Sequence, residues 1–299
     1  MNQSLREKLL RFTKVCISLI YFLWMEAKSL ICSLLGRTPD GTCVAIHYHS
    51  VSPAERKRFA RQMDILLLHA TPITADYNQP LAPGKRYVVV TFDDGFMSVI
   101  ENAIPELAKR EIPMAFFVPP GLVGTSPQWS GYGPEIGNDE IIATADSLRE
   151  LPADLITVGS HTMTHAWLPG LSDDEARFQI AASRAELAKL LNRDIKLFSF
   201  PYGALDQRLV EMCREAGYER VFSVSPKPAF TVPNEFVTGR QAVNPLDWEL
   251  EFRLKILGAY QWLPRVIALK RTLLGRHFDE KAEISQITKG ARSTHYGVN

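Results

Sequence analysis

Short apolar runs recur along the middle of the chain and alternate with stretches in which apolar residues return every third or fourth position. Cys43–Val51, Tyr87–Val90, Met114–Val118, Leu155–Val158, Phe198–Phe200, Arg220–Val224 and Phe236–Val243 read as strands. The unbroken run Tyr87–Val90 has the character of a strand buried on both faces, as in a parallel sheet covered by helices. Helical periodicity falls between the runs, at Ala54–Ala70, Ser98–Arg110 and Leu205–Ala216, and from the capping box Ser172-Asp173-Asp174-Glu175 to Leu191. Strand followed by helix, repeated from about residue 44 to 225, is the βα rhythm of a parallel barrel.

Both ends depart from this rhythm. In residues 1–36 the basic leader Arg6, Lys8, Arg11 and Lys14 precedes an uncharged run, Val15–Met25. That run is about half the ~20 residues a bilayer span requires, and no small-x-small cleavage site follows it. Leu9, Phe12, Cys16, Leu19, Leu23, Ala27, Leu30 and Leu34 fall at amphipathic spacing. With Tyr21 and Trp24 nearby, the expectation is a helix lying on an anionic membrane surface. An uncleaved signal anchor and a helix packed on the barrel are the alternatives. A helix expected from Leu246-Asp247-Trp248 to Tyr260 is followed by a basic apolar one, Trp262–Arg276, which is expected to join the first at the membrane; the polar tail 277–299 reads as disordered. The expected organisation is a membrane-associated helix at 1–36, a catalytic domain at 42–250, C-terminal helices at 251–276 and the tail.

Composition removes some function classes. The 299 residues are 46% hydrophobic and 22% charged with a net charge of +1, enough for one large core and without the basic excess of a nucleic-acid binder. Cys16, Cys32, Cys43 and Cys213 lack Cys-x-x-Cys spacing, which suggests neither a disulfide framework nor a cysteine metal site.

The chemistry sits where strands end. Thr91-Phe92-Asp93-Asp94-Gly95 closes one strand with two adjacent carboxylates, which call for a cation or a shared proton. Gly159-Ser160-His161-Thr162-Met163-Thr164-His165 closes another with two imidazoles four residues apart, and two neutral imidazoles plus a carboxylate suit catalytic zinc. Phe198-Ser199-Phe200-Pro201-Tyr202-Gly203 closes a third on a Pro-aromatic-Gly turn. The long connection from Pro119 to Asn138 carries Trp129 and Tyr132, aromatics suited either to sugar stacking or to packing.

Thr-Phe-Asp-Asp-Gly, then His-Thr-x-x-His, then Pro-Tyr-Gly, in this order and at this spacing, resemble the polysaccharide deacetylases, the NodB-homology group or carbohydrate esterase family four, over residues 44 to 250. The resemblance implies a distorted (β/α) barrel, here with amphipathic helices at both ends, and hydrolysis of an N-acetyl group on a sugar. It implies that Asp94, His161 and His165 hold a divalent metal, zinc first and cobalt or nickel as alternatives, with positions left for water and the acetyl carbonyl. Asp93 is then the general base, and the Tyr202 backbone N–H, between Pro201 and Gly203, steadies the oxyanion. Pro201, Tyr202, Trp129 and Trp248 are the candidate substrate contacts. Many members carry an arginine before Pro-Tyr-Gly that orients the base; here Phe198, Ser199 and Phe200 stand there, and Arg240 is the candidate replacement. No Leu-x-His follows Tyr202, so the general acid is assigned by elimination to His49 of Tyr48-His49, as in members acting on poly-N-acetylglucosamine; a purely structural histidine is the other reading. His47 is expected on the opposite side of its strand. The expected substrate is an N-acetylhexosamine of a surface polysaccharide or its lipid-linked precursor, at a bacterial membrane of unassigned face. A deformylase of a lipid-linked amino sugar and a non-catalytic carbohydrate-binding barrel are the alternatives.

Overall fold

The computed structural model describes residues 3–127, 129 and 140–274; the expected tail, Tyr132 and Arg276 lie outside them. After the long helix α1 (Gln3–Leu34) come β1 (Thr42–Tyr48), α2 (Arg56–His69), the short β2 (Thr71–Pro72) and β3 (Arg86–Phe92). A single π-type turn, Val99–Ala103, leads into α3 (Ile104–Ala108), where one regular helix was expected. β4 (Met114–Val118), α4 (Ala145–Arg149), β5 (Ile156–Ser160), α5 (Asp173–Leu191), β6 (Leu197–Ser199), α6 (Gln207–Glu215) and β7 (Arg220–Phe222) follow. β8 (Val237–Thr238), β9 (Arg240–Ala242), α7 (Glu249–Ile256) and α8 (Leu263–Leu274) complete the described chain. The expected capping box at Ser172 forms, its hydroxyl accepting from Glu175 N while the Glu175 carboxylate accepts from Ser172 N.

All strand pairs are parallel, in the order β8-β7-β6-β5-β4-β3-β1-β9, with β2 added beside β3. The two ends of this order are neighbours in sequence, because only Gly239 separates β8 from β9. One kinked segment therefore pairs with β7 through its first half and with β1 through its second, and the sheet curls into a distorted barrel.

The two-residue period sorts the strands. Val88, Val90 and Phe92 of β3 and Ile46 and Tyr48 of β1 face the helices, in the large core cluster. Cys43, Ala45, Val89, Ala115, Phe117, Leu197 and Phe222 fill the barrel interior from its N-terminal end. Nearer the C-terminal ends the inward positions turn polar, with His47, Thr91, Asp93, Ser199 and Arg240 all buried. Burying polar groups costs free energy unless they are paired, so this layer is where pairing has to be explained.

Candidate active site

Asp93 and Asp94 are adjacent in sequence yet serve separate clusters. Asp93 N still donates to Tyr48 O, at 3.0 Å, so its side chain follows Thr91 into the barrel. Asp94 then takes a left-handed backbone, φ 72°, followed by Gly95 at φ 71°, and the chain swings away. A Cβ on Gly95 would meet Val118 Cγ1 at 3.0 Å, so the turn requires glycine for space as well as for φ.

Arg240 answers Asp93. Its Nη1 and Nη2 donate to the two carboxylate oxygens at 2.7 Å each, a bidentate pair with the arginine fully buried. Nη1 also donates to Thr91 Oγ1 (3.0 Å), Nη2 to Ser199 Oγ (2.7 Å) and Nε to Ser223 O (3.1 Å). The guanidinium lies 5.5 Å from the Phe117 ring and 5.6 Å from that of Phe222. Burial by itself raises the Asp93 pKa, but the Arg240 charge, with His161 and the Arg240 hydrogen bonds, outweighs it and holds the carboxyl well below the usual carboxylate range. Arg240, arriving on β9, is thus the cation paired with Asp93.

Asp94, His161 and His165, all buried, form the second cluster. Asp94 Oδ1 lies 3.4 Å from His161 Nε2 and 3.1 Å from His165 Nε2. The two histidines sit on an irregular turn, with Thr162 at φ 63° and His165 at φ 57°, which brings their ring centroids to 4.9 Å. His161 Nδ1 is 2.7 Å from Ser199 O. A carbonyl only accepts, so Nδ1 carries the proton and Nε2 is the ring atom turned toward the Asp94 oxygen. Burial lowers the His165 pKa and favours its neutral form, against the raising pull of Asp94. Two imidazole nitrogens converging on a carboxylate oxygen fit a divalent cation, and the His₂Asp set is one that zinc, cobalt or nickel accepts.

The Pro201–Gly203 turn stands beside this cluster. Tyr202 has φ 61°, and its ring centroid is 4.8 Å from that of His165. A Cβ on Gly203, φ +67°, would lie 2.8 Å from the Val224 backbone nitrogen. Asp94, Thr162, His165 and Tyr202 all hold left-handed backbones, so strain gathers at the three strand ends the sequence singled out.

Other expected contacts need adjustment. Trp129 stacks on His165, centroids 4.0 Å apart and planes at 20°, and on its own side meets Phe96. It walls a candidate metal ligand. Trp248 carries the Arg11 guanidinium 4.4 Å from its ring centroid, a contact with α1. His47 corrects the expectation for its strand: its ring centroid is 5.5 Å from that of His49, and with His49 and Asp93 it forms one group of nearby donor atoms. A two-residue period puts positions i and i+2 on the same face, so the opposite-side expectation misapplied it. His47 is fully buried, its two ring nitrogens have no hydrogen-bond partner among the described residues, and burial followed by Arg240 drives its pKa well below the usual value. Ser199 was also missed, though it binds both clusters: its carbonyl holds His161 and its hydroxyl Arg240. Only its place as the last β6 residue, one before the Phe200-Pro201 turn, hinted at this.

A parallel barrel with carboxylate, arginine and histidine clusters at the C-terminal ends of its strands has them where barrel enzymes carry their active sites. Residues 81–221 match the family model described as polysaccharide deacetylase. The chain is 23% identical over 209 residues to YxkH of Bacillus subtilis, covering 66% of this chain and 70% of that one. It is 26% identical over 171 residues to poly-beta-1,6-N-acetyl-D-glucosamine N-deacetylase of Staphylococcus aureus, covering 54% of this chain and 55% of that protein. The chain thus spans about half the length of that relative. The solved structure of IcaB from Ammonifex degensii superposes with a TM-score of 0.61 at 29% identity, over 75% of this chain and 98% of that one. These matches make the chain similar to the polysaccharide deacetylases, with residues 81–221 carrying the family match.

Proposed function

We propose that the protein is a metal-dependent N-deacetylase that hydrolyses the N-acetyl group of N-acetylhexosamine units in a surface polysaccharide or its lipid-linked precursor. The observation that carries this reading is the Asp93–Arg240 pair set beside the Asp94, His161 and His165 cluster. It separates a carboxylate kept ionised from a carboxylate kept for a cation. Similarity to a poly-N-acetylglucosamine deacetylase supports the acyl group and the sugar.

Asp94, His161 and His165 would hold the metal, which when bound supplies Lewis acidity and lowers the pKa of water. Asp93, ionised and fixed by two hydrogen bonds from Arg240, accepts a proton from the attacking water as its oxygen bonds to the acetyl carbon. The Tyr202 backbone N–H, on the Pro201 turn, donates to the oxygen that gains charge. His49 gives a proton to the sugar nitrogen as the C–N bond breaks, leaving acetate and a free amine. Trp129, behind His165, limits the space open to the acyl group. The 42–250 segment would form the catalytic unit, with the terminal helices holding it near an anionic membrane.

Acetate release from N-acetylglucosamine oligomers, measured together with metal content, tests the reading. About one metal per chain with acetate released, and turnover lost in Asp93→Asn with metal retained, is the expected result. Metal without acetate release, even from lipid-linked N-acetyl sugars, overturns it; formate release from an N-formyl sugar would then favour a deformylase, and no turnover of any acyl sugar a binding barrel.

A further inference from the structure

The helix α1 faces the barrel with its more polar stripe. Arg11, Ser18 and Glu26 point inward with Val15 and Phe22, while Ile20, Leu30 and Leu34 are 68, 61 and 77% exposed. A helix packed on a soluble barrel buries its apolar face, so this arrangement is inverted. Leu5–Leu34 contains an 18-residue window of mean hydropathy 1.6 and is the one such helix among the described residues.

The inward contacts fasten α1 along the whole barrel wall. Arg11 Nε donates to Glu251 Oε2 at 2.6 Å and Nη2 to Leu246 O at 3.1 Å, just past the C-terminal end of β9. Lys255 Nζ lies 2.7 Å from Asp247 and 3.3 Å from Glu251, and Arg11 supplies the second positive charge to these two buried carboxylates. Midway, Trp262 Nε1 donates to Ser18 Oγ at 2.9 Å. Glu26 pairs with Arg86, the first residue of β3, at 2.5 Å. The 15 residues from Arg11 to Glu26 span about 22 Å, so α1 runs opposite to the strands, from the catalytic end of the barrel to the other. Pulling it away would leave two buried carboxylates with one cation, a costly state.

We infer that α1 seats the barrel on an anionic bilayer while still docked to it, lying in the membrane plane, so that the strands run along the bilayer and the catalytic mouth opens sideways over the lipid surface. The outward face supplies the apolar area, and Lys28, 4.6 Å over the Trp24 ring, joins Arg6 and Lys8 as the cations suited to anionic headgroups. α8 extends the face, with Val266 and Leu269 exposed beside the Trp262–Ser18 contact. A spanning α1 is incompatible with this docking, because it would draw the charged barrel wall into hydrocarbon. Substrate on this geometry is a glycan reached at the membrane surface, which deepens the deacetylase reading.

The test uses the full chain and vesicles of phosphatidylglycerol and phosphatidylcholine. Leu23→Glu with Leu30→Glu is expected to weaken vesicle binding by more than about tenfold and to leave turnover of soluble N-acetylglucosamine oligomers unchanged. With Cys16 and Cys32 replaced by Ser, a short thiol crosslink between Glu26→Cys and Arg86→Cys locks α1 to the barrel; binding is expected to survive it. Loss of binding on crosslinking overturns docked seating in favour of a span. Unchanged vesicle binding in the double Glu variant, or a change from dimer to monomer in its place, overturns the membrane face. Failure of soluble turnover in the wild type would count against the deacetylase reading alone.

Discussion

Removing the cation behind Asp93 is the sharpest perturbation the site offers. Arg240→Met deletes five buried hydrogen bonds, two of them to Asp93 at 2.7 Å, and leaves that carboxylate buried without its partner. Breaking one side of a buried ion pair costs about 3–5 kcal/mol. At about 2–4 °C per kcal/mol for a domain of this size, the midpoint of thermal unfolding should drop by about 6–20 °C. Asp93→Asn strands the arginine and should cost a similar amount. The double variant carries neither charge, so its loss should fall well short of the sum, with a coupling free energy of about 2 kcal/mol or more. The pH dependence has a definite sign. In the wild type the Asp93 pKa is lowered, so its contribution is present above the unfolded value of about 3.9 and is lost as pH falls through the lower folded value. In Arg240→Met burial dominates and the folded pKa rises above the unfolded one, so stability is lost as pH climbs from about 4. Denaturation of the four proteins in chelator, at several pH values, reads all of this. Additive losses, with a coupling below about 0.5 kcal/mol, would refute the argument that this pair organises the strand ends.

Three further outcomes follow from the geometry. Adding zinc to chelator-treated protein should raise the unfolding midpoint, since a ligand at about 100 times its Kd contributes about 2.7 kcal/mol; His165→Ala should abolish the rise and reduce bound metal, measured by elemental analysis, from about one to near zero. His49→Ala should lower kcat by about 10²–10⁴ while leaving metal content intact; an unchanged kcat would remove His49 as the acid. Gly203→Ala should cost about 1–2 kcal/mol for the left-handed backbone and more for the approach to Val224, seen as a lower midpoint together with reduced turnover.

The strand ends that carry the chemistry were legible because each motif is local. Apolar runs announce buried strands, and Asp93-Asp94, His161 with His165, and the Pro201 turn mark where they stop. The sequence alone therefore determined the βα order, the parallel sheet and the residue types of the candidate metal site. Register and curvature decided the rest. Arg240 reaches Asp93, 147 positions away, because β9 pairs with β1, which pairs with β3; nothing within either segment encodes that neighbourhood. The facing of His47 was in principle readable from the two-residue period, and was misread. Which stripe of α1 meets the barrel was not readable at all. Amphipathic spacing locates an apolar face, but only the packing of α1 against the start of α7, where the buried carboxylates Asp247 and Glu251 lie, draws Arg11 inward and turns that face out.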